Sequence, residues 1–247
     1  MPKFPIETPS ALQLQPEAEA VAPVWHTAGV LLLLLSLVAL GLNMLGGGHA
    51  GIAQHRVLGY AITMAMEWLI VAFIWLGARW RGASLRTLTG ANSPSLGSIA
   101  RDLGLAIAYL IVANIVLGVL GVVLGRMSHA APNDSLKHLL PHTGLETAVY
   151  LLLALTAGIC EELIFRGYLQ RQFTAWTRHA AAGIALQGIA FGAAHAYQGV
   201  IMMLVISIYG CMFGSLAYWR KSLRPGMLAH FLQDGVGGLL MARFAFK

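Results

Sequence analysis

Charge is what this chain has least of. Asp, Glu, Lys and Arg make up 11% of its 247 residues, against roughly 25% in soluble domains. Hydrophobic residues make up 57% and the mean hydropathy is +0.70. That scarcity excludes a separate soluble domain and predicts an integral membrane protein, an all-α bundle of about seven spans, because each span takes about 20 mostly apolar residues. Cysteine is nearly absent. Cys160 and Cys211 both fall inside apolar runs, so no disulfide framework can be argued. Nothing beside Cys160 in sequence would make it a nucleophile, and it reads as a small core residue. Internal repeats are missing, which argues against the paired halves of a transporter. A basic start followed by a short apolar core is missing too, so the first span is expected to be retained as an anchor. The net charge of +6 does not mark a nucleic-acid-binding protein, because its basic residues are scattered at the ends of apolar runs.

What is present follows a simple order. Residues 1–25 form a tail with Pro2, Pro5, Pro9, Pro16 and Pro23, a composition that cannot bury enough apolar surface to order itself. Spans are predicted at roughly 26–45, 58–79, 102–125, 145–170, 180–197, 200–219 and 226–243. Residues 26–144 supply the N-terminal helices and 145–243 the core helices of the same membrane domain. Loops are expected at Gly46 to Gly51, after Arg81, from Arg126 to His142 and from Arg220 to Pro225, from their glycine, proline and polar content. With these spans, Lys3, Arg79, Arg81, Arg86, Arg101, Arg166, Arg171, Arg178, Arg220, Lys221 and Arg224 share a side with the N-terminus, whereas only Arg56, Arg126, Lys137, Arg243 and Lys247 lie opposite. The richer side should be cytoplasmic, which puts the N-terminus in the cytoplasm and the protein in the plasma (inner) membrane. Gly188-x-x-x-Gly192 and Gly210-x-x-x-Gly214 set small residues one turn apart, where neighbouring helices can approach.

Against this apolar background the few intramembrane ionisable residues stand out. Glu161, Glu162 and Arg166 interrupt one long run. A charge at the bilayer centre costs at least ~2.5 kcal/mol, so these side chains need partners or a chemical use. On a helix Glu162 and Arg166 share a face four residues apart, acid before base, the favourable order for an ion pair. Glu161 points about 100° away and is left free. The first two read as a clamp and Glu161 as the working carboxylate. His195 lies in the fifth span, and His230 and Asp234 stand four apart in the seventh, so three helices bring ionisable groups to one interior. Glu67 has no near partner in sequence and is expected to bond a neighbouring helix instead of acting in catalysis.

Glu161-Glu162-x-x-x-Arg166, Phe191-x-x-x-His195 and His230-x-x-x-Asp234, in this order, resemble the three motifs of the CAAX-protease and bacteriocin-processing (Abi) family of intramembrane proteases, which includes type II CAAX prenyl endopeptidases. Phe165-Arg-Gly-Tyr-Leu-Gln170 and Arg224-Pro-Gly-Met-Leu-Ala-His230 add to the likeness, which spans roughly 145–240. The resemblance implies a polar cavity sunk in the bilayer in which a peptide bond is hydrolysed. Glu161 would activate water, His195 would help to bind it, His230 and residue 234 would hold the oxyanion, and Glu162 with Arg166 would be structural. Burial makes a carboxylate a stronger base toward water.

Position 234 is Asn or Asp in the family, and an ionised Asp cannot donate a hydrogen bond. Asp234 is then protonated, or orients His230, or helps ligate a metal with Glu161, His195 and His230. Two histidines with carboxylates suit zinc, and both metalloprotease and metal-free glutamate mechanisms are attached to the family. The reading here favours metal-free water activation. The expected partners are the lipid bilayer and a peptide or membrane-protein substrate, with no nucleic acid. Two other readings are a scaffold or binding protein of the same fold that does not cleave, and a proton-coupled transporter.

Overall fold

The structure, a computed structural model, describes residues 19–46, 55–90, 95–128 and 139–245. Among these are ten α-helices: α1 (Val24–Gly46), α2 (Arg56–Trp80), α3 (Leu85–Thr89), α4 (Leu96–Ser128), α5 (Gly144–Glu161), α6 (Gln170–Thr177), α7 (Ala180–Ala194), α8 (Val200–Arg220), α9 (Arg224–Leu232) and α10 (Gly238–Ala245). Two π-helical stretches, Glu162–Leu169 and Gln233–Gly237, join α5 to α6 and α9 to α10. The described fold is all-helical.

Among the described residues, five helical segments are long and apolar enough to cross a membrane. The remaining two expected spans take a different form. Helix α7 has 15 residues, which at ~1.5 Å each reach about 22 Å, short of a ~30 Å hydrocarbon core. The last expected span is broken into α9, a π-helical stretch and α10. About seven membrane segments remain compatible with this arrangement.

The α5–α6 segment is the axis of the bundle. Thr143 starts it with a capping box, its side chain accepting from the Glu146 backbone while Glu146 answers the backbone of Thr143. Helices α2 and α9 pack on α5, α7 lies between α6 and α8, and α4 rests on α8 and α9. The buried core runs through Leu163, Ile164, Phe165, Tyr168 and Leu169. By contrast, α4 turns Ile107, Ile111, Ile115 and Val119 outward, as a lipid-facing helix does. The small-residue pattern of α7 has its reason in α8: a Cβ on Gly192 would lie 2.0 Å from Ser207 Oγ and 2.4 Å from the Met203 carbonyl.

The tail is shorter than expected at its inner end. Residues 1–18 lie outside the described residues, but Ala22 is buried and is gripped by Gln172, whose Nε2 donates to its carbonyl at 2.6 Å. One turn into α1, His26 Nε2 donates to the Phe73 carbonyl at 2.9 Å. Its Nδ1 therefore accepts the Tyr168 hydroxyl at 2.8 Å, and that hydroxyl accepts Thr27 Oγ1 at 2.9 Å. Tyr168 sits in the π-helical stretch that follows Glu161, so α1 is tied to the backbone that carries the acids. Tyr168→Phe strands two buried polar atoms and is expected to lower stability by about 1–3 kcal/mol, measured by thermal unfolding in detergent. The expected loop from Gly46 to Gly51, past Gly46 itself, and most of the Arg126 to His142 stretch fall outside the described residues.

Candidate active site

The acids of the first motif are sorted by their partners. Glu162 and Arg166 have fully buried side chains, with Arg166 Nη1 3.0 Å from Glu162 Oε1. Arg166 Nη2 donates to the Gly210 carbonyl at 3.3 Å, and its guanidinium lies 4.3 Å above the Phe191 ring and 4.9 Å from that of Phe213. The pair is thus walled by aromatic rings. Glu161 has no such cation. Its Oε2 is buried without a hydrogen-bond partner, 3.6 Å from His230 Nε2.

His230 is held between the two acids. Its Nδ1 lies 3.3 Å from Glu162 Oε1, so that nitrogen donates to a carboxylate already fixed by Arg166. Nε2 faces Glu161 Oε2 and, at 3.4 Å, Asp234 Oδ2. Phe213 stacks on the ring at 5.3 Å. The approach of α9 to α5 that makes these distances depends on glycine. A Cβ on Gly158 would meet the Met227 carbonyl at 2.9 Å and the Phe231 nitrogen at 3.0 Å, and one on Gly226 would sit 2.7 Å from Glu162 Oε2.

His195 caps the end of α7. Its Nδ1 is 2.8 Å from the Phe191 carbonyl, an acceptor only, so Nδ1 carries the proton. In the neutral ring Nε2 then keeps a lone pair that can accept a hydrogen bond from water. The Phe191 ring braces the imidazole edge-on at 4.9 Å.

Glu161, His195, His230 and Asp234 line one cavity of about 600 Å³, whose other walls include Leu34, Leu37, Leu117, Leu153, Ile206 and Met241. Asp234 is its most open acid, with a side chain 40% exposed, and Tyr150 holds its backbone carbonyl at 3.0 Å. The cavity also contains a residue that sequence reasoning set aside. Glu67 is 3% exposed, lines the cavity, and has an Oε2 with no hydrogen-bond partner. The expectation that it bonds a neighbouring helix is therefore corrected. A signal was there to find: Arg56, Tyr60, Thr63 and Glu67 recur at helical spacing and all four line the cavity, a polar stripe on an apolar helix. At the far end of that stripe Arg56 pairs with Glu146 at 3.6 Å.

Among the described residues no three His, Cys, Asp or Glu side chains are grouped to hold a metal ion. Nδ1 of each imidazole is held by a protein acceptor, the Phe191 carbonyl for His195 and Glu162 for His230, and the rings are set by Phe191 and Phe213.

One more intramembrane acid proves structural. Asp102, at the start of the third expected span, is 1% exposed and binds Arg224 at 3.0 Å and Arg220 at 3.7 Å. It ties α4 to the turn from which α9 descends to His230.

Residues 143–236 match the model of the type II CAAX prenyl endopeptidase Rce1-like family. The match begins at the cap of α5 and ends just beyond Asp234. It includes all three motifs and leaves out Glu67. The family resemblance read from those motifs is shown for this part of the chain. No curated protein and no solved structure matches the chain.

Proposed function

We propose that this membrane protein, whose residues 143–236 match a family of CAAX prenyl endopeptidases, is an intramembrane endopeptidase that cleaves a peptide bond of a membrane-associated protein or peptide. One observation carries the reading: of two adjacent acids, Glu162 is buried and bound to Arg166 and His230, while the half-buried Glu161 presents an unpartnered Oε2 to the cavity beside the same imidazole. A carboxylate that no cation holds and that faces a cavity can act as a general base.

In this mechanism Glu161 takes a proton from a water whose other hydrogen is accepted by His195 Nε2. The water oxygen bonds to the scissile carbonyl carbon, and the carbonyl electron pair moves onto its oxygen. The N–H of His230 Nε2 stabilises that oxyanion, and a well-aimed donor of this kind is worth about 3–4 kcal/mol. Collapse breaks the C–N bond, and the proton held by Glu161 passes to the leaving amine. Glu162 and Arg166 do no chemistry. They hold His230 through Nδ1–H, and with Nε2–H directed at the reacting oxygen the ring acts as the doubly protonated imidazolium. Asp234, next to that nitrogen, orients the ring as an acceptor.

The test is a mass-spectrometric comparison of protein termini in membranes from cells making the wild type or Glu161→Gln at equal abundance. New termini that require Glu161 are the expected result, and they also name candidate substrates. Identical profiles from two folded proteins would reject proteolysis and favour a scaffold.

A further inference from the structure

The proteolytic reading leaves the oxyanion short of donors. Asp234 Oδ2 lies 3.4 Å from His230 Nε2, and the Asp234 side chain is the more hydrated of the two groups at 40% exposure against 5%. A carboxylate in that position accepts from the imidazole and has no hydrogen to give. The single N–H of His230 Nε2 also faces Glu161 Oε2. Helix α9 therefore offers one donor, already approached by two acceptors, where charge develops on the substrate.

A second donor of the right kind comes from the half of the chain outside the family match. Glu67, on α2, is more than nine-tenths buried. It opens on the same cavity as Glu161 and His230, lies in electrostatic reach of both and of Asp234, and leaves Oε2 without a partner. No Lys or Arg pairs with it among the described residues. Of the three carboxyls that line the cavity, Glu67 is the buried one with no charged partner, whereas Asp234 is 40% exposed and adjoins His230, and a buried unpaired carboxyl keeps its proton first. Glu161 has the imidazole of His230 within 3.6 Å, so the charge resides there and the proton on Glu67. A protonated carboxyl has one O–H to donate.

We propose that Glu67 is a further catalytic residue, a neutral carboxylic acid whose O–H hydrogen-bonds the scissile carbonyl oxygen as it becomes an oxyanion, beside the Nε2–H of His230. Glu67 keeps its proton throughout. The proton balance remains that of the base: Glu161 removes one proton from water and returns it to the amine, and Glu67 lowers the energy of the intermediate by donation alone. The inference rests on the proteolytic reading. It accounts for an uncompensated acid deep in an apolar helix, which a purely structural role leaves without a partner.

The test uses the full-length protein in lipid nanodiscs with a synthetic peptide spanning a cleavage site found by the Glu161-dependent termini. Glu67→Met keeps the size and loses the donor, and Glu67→Gln keeps a donor in its amide. Glu67→Met is expected to lower kcat about 10²–10³-fold with KM changed less than about threefold, the pattern of an interaction made only in the transition state. Glu67→Gln should recover kcat to within about tenfold of the wild type, the rescue expected when a donor is what matters. Glu67→Leu replaces the Met variant if the latter is not recovered folded. Wild-type turnover by Met or Leu overturns the proposal, as does a Gln variant as slow as Met, or a defect confined to KM. Those outcomes leave Glu161-dependent cleavage intact, so they differ from failure of the proteolytic reading, in which the wild type itself generates no new termini.

Discussion

Arg166→Met is expected to remove about 3–5 kcal/mol of stability, the range for breaking a buried ion pair from one side. A typical domain has about 5–15 kcal/mol in all, so the variant should be largely unfolded or rapidly lost from the membrane. The reason is the completeness of the burial. Both side chains of the pair have no exposed surface, and without Arg166 the Glu162 carboxylate keeps only His230 Nδ1 at 3.3 Å. The substitution also removes one of two donors to the Gly210 carbonyl, the other being Gln187 Nε2, and the cation packed over Phe191 and Phe213. Arg166→Lys is not a mild change, because an ammonium cannot cover both rings and reach both acceptors as the planar guanidinium does. The double variant Glu162→Gln/Arg166→Met leaves no unpaired buried charge and should be more stable than Arg166→Met alone, while remaining slow because His230 loses its anchor. Thermal unfolding in one detergent decides the matter. A melting temperature equal to the wild type for Arg166→Met would show that the pair contributes nothing net.

Gly158→Ala is expected to lower cleavage about a hundredfold while the protein stays folded. Its added methyl would meet main chain, the Met227 carbonyl at 2.9 Å and the Phe231 nitrogen at 3.0 Å, and main chain in the middle of α9 cannot rotate away as a side chain can. The two helices must separate there. Gly158 lies one turn before Glu161 and Glu162, and Phe231 adjoins His230, so the separation falls on the 3.3 Å and 3.6 Å approaches that define the site. Misplacing reacting groups by about 1 Å can cost about 10²-fold. Gly104→Ala is the control, since a Cβ there has nothing within 4 Å and Ala is the better helix former by up to ~1 kcal/mol. Turnover by Gly158→Ala at the wild-type rate would mean that the helix spacing is not critical.

The sequence and the structure contribute differently to these expectations. Low charge and long apolar runs were enough to identify a helical membrane bundle, because the bilayer demands internally satisfied backbone over about 20 residues. The pairing of Glu162 with Arg166 was also legible, since an acid four residues before an arginine on one helix is a local relation. The ion pair forms as expected even though the backbone opens into π-helix immediately after Glu161. Spacing also put His230 and Asp234 on a common face, where they lie 3.4 Å apart. All of this is short-range.

What sequence could not supply was relation between helices. Glu67 reads as a solitary acid in α2 because periodicity says which face a residue occupies and nothing about which helix that face meets. Only the packing of α2 on α5 brings it into the cavity of Glu161. The same holds for Asp102, paired with arginines more than a hundred residues away, and for His26, whose imidazole joins Phe73 to Tyr168. Hydropathy and helical period are set by residues a few positions apart, so the chain alone determined its membrane class, its helices and its motifs. Which acids face one another depends on close approaches at glycines such as Gly158 and Gly226. Those contacts arise only when distant helices pack, and the tertiary structure alone decided them.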